Sequence, residues 1–431
     1  MGEETQTKTE TKTEAPKQEP KSTLQIDVSD LEKEIKRPTA LRSIIKIVDT
    51  SLNLAYAARA SDIHLDPEEK ALRMRFRIDG VLHDVYKFPK ELSSEIITRI
   101  KVQSGLRTDE HQAAQDGRMR FKGEMDGKFV DVRVAIAPTY YGENCVMRLL
   151  ADHSQNFDLV KLGFSELNLQ RVRKAMSKPY GMILTTGPTG SGKTTTLYMI
   201  LKELNKPEIS IVTIEDPIEY SLPGVDQIQV NKRTGLEFAT GLRSILRQDP
   251  NIVMVGEIRD GETASIAVNA AMTGHLVLST LHTNDSAVTI PRLLDLGVEP
   301  FLIASTINIA IGQRLVRTIC EDCKVKRVFS AAELEALTTT VPKEMLADNK
   351  VFYKGEGCER CSGSGYKGRV GIHEVMEIDE KIRELIMKRA TADEIRKASV
   401  ASGMKTMLED GVEKAIKGLT TLEEVLRVFH E

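Results

Sequence analysis

Eight consecutive residues, Gly187-Pro188-Thr189-Gly190-Ser191-Gly192-Lys193-Thr194, place two glycines around four positions and close on Lys-Thr. That is the spacing of a loop that cradles phosphate: successive backbone N–H groups turn inward and the following helix start favours negative charge. In such a loop Lys193 reaches the outer phosphates of a nucleoside triphosphate, and the Thr194 hydroxyl holds magnesium. The flanks agree. Gly181 to Thr186 is a short apolar run that predicts a buried parallel strand, and Thr195 to Leu204 predicts a helix stopped by Asn205 and Pro207.

Three further stretches carry groups that could act on a triphosphate. Thr213 to Tyr220 offers Glu215, Asp216 and Glu219, carboxylates that can hold metal through water or polarise an attacking water. Ile252 to Asp260 is an apolar strand ending in Gly256-Glu257, where a nucleotide-triphosphatase site usually carries Asp. Thr273 to Asn284 brackets one strand with His275 and His282. At that separation the two imidazoles point to opposite faces, which excludes a shared metal; either could donate a hydrogen bond to the γ-phosphate. All three lie at the carboxyl ends of predicted strands (Ile209–Ile214, Ile252–Val255 and Leu276–Leu281), the edge where open α/β sheets bind ligands.

Two pairs, Cys320-x-x-Cys323 and Cys358-x-x-Cys361, are separated by 34 residues. Each pair can place two thiolates on one tetrahedral ion, so the four fill a structural zinc site with no open position for catalysis. Gly357 before the second pair and Ser362-Gly363-Ser364-Gly365 after it suit tight knuckles, and a helix over Ala331–Leu337 fills the span. Cys145 reads as a small apolar residue within a strand.

The elements that must position these groups divide the chain. Its 431 residues suggest about three domains. Residues 1 to about 22 are Thr, Lys, Glu, Gln and Pro, a composition that predicts a disordered tail, and a short helix is expected before Pro38. Residues 38–150 predict an α+β domain: helices over Leu41–Arg59 and Glu91–Leu106, a hairpin from Leu72 to Phe88 turning at Asp79-Gly80, a second hairpin at Asp126-Gly127, and a strand over Glu143–Leu150. On spacing alone, Arg118, Arg133 and Arg148 read as a solvated strand face. Residues 151–163 predict a hinge. From Phe164 on, alternating strands and helices predict a parallel sheet covered by helices. The end of the chain, 376–431, reads as helical, with capping boxes at Thr391-x-x-Glu394 and Thr421-x-x-Glu424.

Bulk properties exclude several classes. A net charge of −3, no Trp and 5% aromatics argue against a nucleic-acid binder. No apolar run reaches membrane-span length, and no export signal is visible, so a reduced cytoplasmic setting is expected, with metal rather than disulfides at the cysteines.

Taken together, Ala60-Ser61-Asp62-Ile63-His64, Phe76-Arg77-Ile78-Asp79-Gly80, the phosphate loop, the acidic stretch from Glu215, Gly256 to Asp260 and the His-bearing strand resemble the ATPases of type II secretion and type IV pilus assembly. The likeness covers about residues 40 to 431. It implies an α/β fold: a RecA-like ATPase domain over 164–431, preceded by a smaller PAS-like α+β domain, with a zinc element at 317–370. It implies a homohexameric ring, peripheral at the cytoplasmic face of the inner membrane, that binds ATP, Mg2+ and Zn2+ and drives pilin-like subunits through an inner-membrane platform protein. The resemblance makes Glu219 the catalytic glutamate and Glu257 the second acid, with Glu215 and Asp216 beside the nucleotide. Lys193, Thr194 and Thr195 go to the phosphates and magnesium, His275 and His282 to the histidine box. Arg133 and Arg148 match arginines that the first domain contributes, and Arg243, Arg247 and Arg259 match arginines of the ATPase domain. Many members begin with an additional domain; here residues 1–37 precede the core.

Other readings are a pilus-retraction motor, whose relatives usually lack the cysteine quartet, a nucleic-acid-translocating ATPase, and a nucleotide-gated scaffold with little turnover.

Overall fold

A computed structural model describes residues 26–150, 158–330 and 351–430, with isolated positions between 333 and 346. The first domain is one antiparallel sheet with helices on one face. Its helices are α1 (Ser29–Ile35), α2 (Ile44–Ala57) and α3 (Ser93–Gln103). Its strands are β1 (Asp62–Pro67), β2 (Ala71–Ile78), β3 (Val81–Pro89), β4 (Gln115–Lys122), β5 (Phe129–Thr139) and β6 (Gly142–Leu150), in the order β3-β2-β1-β6-β5-β4. Strand alternation decides which residues meet the helices: Ile63, Leu65, Met74, Phe76, Val132, Val134 and Met147 join Ile47, Val48 and Leu52 in one core. Their neighbours in sequence, including most of the arginines, are left on the opposite face. The β2–β3 turn has both central residues at positive φ, Asp79 at 48° and Gly80 at 89°, as a two-residue hairpin loop requires.

The predicted tail and linker are partly absorbed into structure. Leu31 and Ile35 of α1 are buried in the first core. Residues 1–25 and 151–157 of the expected tail and hinge lie outside the described residues. From Leu159 the chain is already docked on the second domain, with Leu159 in its core and Gly371 N donating to Leu162 O at 3.0 Å.

The second domain opens with α4 (Glu166–Met176), and helices sandwich its seven-stranded sheet. The strands are β7 (Gly181–Thr186), β8 (Ile211–Glu215), β9 (Asp226–Gln229), β10 (Ile252–Val255), β11 (Leu276–Leu281), β12 (Ile307–Ile319) and, beyond the small antiparallel pair β13 (Lys324–Arg327) and β14 (Phe352–Gly355), β15 (Tyr366–Glu377). Their order is β15-β12-β7-β11-β10-β8-β9, parallel except where β15 runs against β12. Among the connecting helices are α5 (Lys193–Leu204), α6 (Phe238–Ile245), α7 (Gly261–Met272), α8 (Thr289–Asp295) and α9 (Pro300–Thr306). Both faces carry a core, one around Ile183, Met254, Leu278 and Ile311, the other around Leu184, Val253, Val277 and Ala310. Strands covered on both faces read as continuous apolar runs without alternation. β12 begins inside the apolar run Phe301–Ile311, and β15 overlaps the segment read as helical only at its last two residues; neither is among the strands expected from the sequence.

Four helices close the chain: Glu380–Met387, Ala392–Ala401, Met407–Ile416 and Leu422–His430. The capping box at Thr391 and Glu394 forms, and so does one at Thr406 and Glu409 that the sequence reading passed over. At Thr421 only half forms. Glu424 N donates to Thr421 Oγ1 at 3.1 Å, but the Glu424 carboxylate accepts instead from Arg317 and Arg427, because a buried acid is better compensated by charge. The helix predicted over 331–337 falls where only isolated positions are described.

Candidate nucleotide and metal sites

The parallel register of the sheet gathers four strand ends on one edge. There β7 delivers the phosphate loop, β8 the acidic stretch, β10 Glu257 and β11 His282. Loop and strand ends are tied together where Thr186 Oγ1 donates to Thr283 O at 2.8 Å and accepts from Thr283 N at 3.1 Å.

The loop is shaped by its glycines. Gly187, Gly190 and Gly192 stand at φ of 147°, 79° and 88°. A Cβ on Gly187 would come within 2.4 Å of Gln313 O, so only glycine lets the backbone approach there. The Ser191 hydroxyl is buried without a hydrogen-bond partner. Lys193 is buried, and its ammonium donates to Gly187 O at 2.8 Å and Pro188 O at 3.0 Å. Desolvation lowers its pKa, while nearby Glu257 works the other way. A cation held in place by two neutral carbonyls, beside an orphaned buried hydroxyl, suits an incoming anion. Pro188, Thr189 and Gly190 form the exposed tip, and Thr194 and Thr195 begin α5 half-buried. No ligand has to be invoked to see the fit: the donor set is that of a triphosphate with magnesium on a hydroxyl.

Around the loop the acids divide by environment. Glu257 is buried, and its two oxygens take Arg259 at 2.6 Å and His282 Nε2 at 3.0 Å. Asp260, the last acid of that motif, caps α7 by accepting from Thr263 N at 2.8 Å. Glu215, expected beside the nucleotide, is instead committed to the core. It accepts from Tyr198, from Thr213 Oγ1 at 2.6 Å and from Gln227 Nε2 at 3.1 Å, and burial raises its pKa despite these bonds. The Tyr198 hydroxyl also accepts from Glu219 N at 3.3 Å, so this network seats the segment that presents Glu219. Asp216 is exposed and Glu219 half-buried.

His275 is not brought to this edge. It precedes β11 at the amino edge of the sheet, where Gly181 N donates to His275 O at 3.1 Å and its ring Nδ1 lies 3.0 Å from Ala270 O. Arg243 and Arg247 are exposed on and just past α6, with Arg243 paired to Glu262 at 2.5 Å.

Of the three arginines read as a solvated strand face, Arg118 and Arg148 are exposed and Arg133 is half-buried. Cross-strand register puts Arg118 opposite Arg133, Arg133 opposite Arg148, Arg148 opposite Asp62 and Asp62 opposite Arg77. This one row holds four arginines and a single acid. Like charges directly opposite are unfavourable, and the compensation comes from the other domain. Arg133 donates to Ile218 O at 2.8 Å and Arg118 to Gln229 Oε1 at 3.0 Å. Burial lowers the Arg133 pKa, while Glu219 and Asp216 support its charge. Arg148 is held by Asp62 at 2.9 Å. The part played by Asp62 is missed in sequence, because its partner lies 86 residues away.

The four cysteines converge where β12 ends. Their sulfurs lie within 4.8 Å of one another, with Cys320–Cys358 and Cys323–Cys361 at 3.8 Å and Cys358–Cys361 at 3.7 Å. That is too far for disulfides and matches the edge of about 3.8 Å expected for a tetrahedron with metal–sulfur bonds near 2.3 Å. Cys358 N and Gly365 N point at Cys361 Sγ at 3.1 and 3.3 Å. Desolvation pushes the Cys361 thiol up, but these N–H groups, together with the Cys358 and Cys323 thiols, bring it down to about 7. The donor set therefore fits a closed four-thiolate zinc site.

With that geometry in view, comparison with known proteins decides the lineage. Residues 38–427 match the type II/IV secretion system protein family. The chain belongs to that family. It is 46% identical over 398 residues to "Type IV pilus assembly ATPase PilB" of Thermus thermophilus, covering 92% of this chain and 44% of that one. It is equally 46% identical, over 388 residues, to "Type II secretion system ATPase E" of Vibrio cholerae, covering 90% and 76%. The chain thus spans less than half the length of the Thermus relative. Among solved structures it is similar to the pilus retraction motor PilT with bound ADP, at a TM-score of 0.60 and 26% identity, covering 89% of this chain and 96% of that one. Among the described residues no helix is long and apolar enough to cross a membrane.

Proposed function

We propose that this secretion-family chain is an ATP-hydrolysing motor. One observation carries the reading: an arginine row on a separate domain reaches the acidic segment beside the phosphate loop, with Arg133 on Ile218 O next to Glu219. The loop N–H groups and Lys193 hold the phosphates, and Thr194 holds magnesium. Glu219 polarises the attacking water. Glu257, tied to His282 and Arg259, sets the charge beside Lys193. Arg133 and Arg148 stabilise the charge that develops on the transferring phosphoryl group, and loss of that charge on hydrolysis releases the first domain. Zinc in the cysteine quartet supplies structure only.

By its family, the chain works as a cytoplasmic homohexamer, peripheral at the inner membrane. It drives assembly of a type IV pilus or a type II secretion pseudopilus through a membrane platform protein. His275, Arg243 and Arg247 lie away from the chain's own loop or exposed, so their contribution is to the contact between subunits of the ring. The thiolate geometry favours the assembly branch over retraction.

The test is Glu219→Gln, read by steady-state phosphate release and by nucleotide binding. Binding should persist while hydrolysis falls by about a hundredfold or more. Hydrolysis at the parental rate would move the catalytic role to Glu257.

A further inference from the structure

Gln313 on β12 lies outside the motifs described above, yet its side chain bonds both the phosphate loop and the first turn of α5. The register Gly312↔Thr186 sets it beside the first residue of the loop. It is 1% exposed. Its carboxamide N–H donates to Ser191 O at 2.6 Å, and its carboxamide oxygen accepts from Thr196 Oγ1 at 2.8 Å. Its own backbone carbonyl is the atom that forbids a side chain on Gly187.

The peptide plane gives these contacts a consequence. In a trans peptide the C=O of one residue and the N–H of the next point to opposite sides. Pulling Ser191 O toward β12 therefore aims Gly192 N–H away from β12, into the hollow of the loop. Gly192, at a φ of 88°, is the residue on which α5 starts. Thr196, in the first turn of α5, is fixed by the same carboxamide. One side chain thus sets the direction of a loop N–H relative to the helix start that shares the anion with it.

We infer that Gln313 is a positioning residue for the phosphate loop, holding the Ser191–Gly192 peptide in the orientation that accepts a nucleotide phosphate. This rests on the loop being the nucleotide site. Without Gln313, nucleotide itself must order the loop, so the loss falls on binding more than on turnover once bound.

The experiment measures affinity for a fluorescent ADP analogue, KM and kcat for ATP, and thermal unfolding, on the full chain. The variants are Gln313→Leu, Gln313→Glu and Thr196→Val, with Lys193→Ala as the control for the site. Gln313→Leu should weaken nucleotide binding and raise KM about tenfold, with kcat within about threefold of the parent. Gln313→Glu keeps the acceptor for Thr196 but cannot donate to Ser191 O and adds charge beside the anion, so its affinity should be lower still. Thr196→Val removes one of the two side-chain bonds and should cost about threefold in affinity. Lowered thermal stability with parental affinity and KM in Gln313→Leu means packing alone and overturns the inference. If that variant does not fold, parental affinity in Thr196→Val does the same. Lys193→Ala binding nucleotide like the parent would instead remove the site on which the inference rests.

Discussion

The phosphate loop and the arginine row belong to different domains and are built in opposite ways. The loop is a single run, Gly187 to Thr194, whose work is done by backbone N–H groups and one lysine. The row is assembled from five strands, one residue from each, and exists only because the sheet register puts Arg118, Arg133, Arg148, Asp62 and Arg77 abreast. A site made of local backbone keeps its groups together when the domains move. A site made of cross-strand side chains can open and close with the domain that carries it. On the proposed function, binding belongs to the loop and control of turnover to the row.

The largest effect should come from the loop. Lys193→Ala removes the cation held between Gly187 O and Pro188 O, and turnover should fall by about a thousandfold or more with nucleotide binding lost. Binding titrations and phosphate release check it; retained binding would deny the loop its role. Next is the row. Arg133→Ala should cut kcat by about a hundredfold while nucleotide affinity stays within about threefold, the split expected of a group that acts in the transition state. Equal losses in both would place Arg133 with the loop rather than apart from it.

A smaller effect belongs to the cysteine quartet, which is part of neither the loop nor the row. Freshly purified protein should hold about one zinc per chain. Cys320→Ser should weaken the metal and lower thermal stability, yet nucleotide affinity should stay within about twofold. Metal analysis without zinc would refute the site, and a large loss of affinity would tie the quartet to the loop. The smallest effect should come from Asp62→Asn, which frees Arg148 and leaves the row without its acid. A loss of about 1 kcal/mol and a few degrees in Tm is expected, with a few-fold drop in kcat. An unchanged melting curve would mean the row needs no internal counter-charge.

Several elements were legible without coordinates. β10 and β11 occupy the predicted spans, and the β2–β3 hairpin turns at Asp79-Gly80. β12 and β15 were not legible, since both mix polar with apolar residues, Gln313 to Arg317 in one and Lys367 to Glu374 in the other, and their pairing joins segments far apart in the chain. Asp79 shows a similar limit. Its turn is a local property, but its side chain accepts from Gly368 N at 2.9 Å across the two domains.

By itself, the sequence determined the groups whose partners are near in the chain: the loop, each Cys-x-x-Cys pair and the helix cap at Thr391. Only the tertiary structure decided which of the flagged residues share a site. It brought His282 to Glu257 and left His275 at the other edge. It withdrew Glu215 into a buried network and turned Arg133 toward the acidic segment. It also set Gln313 against the loop. The physical reason is range. Loop curvature, capping and knuckle turns follow from a few adjacent φ and ψ angles, whereas register, burial and charge compensation depend on strands and domains far apart in the chain.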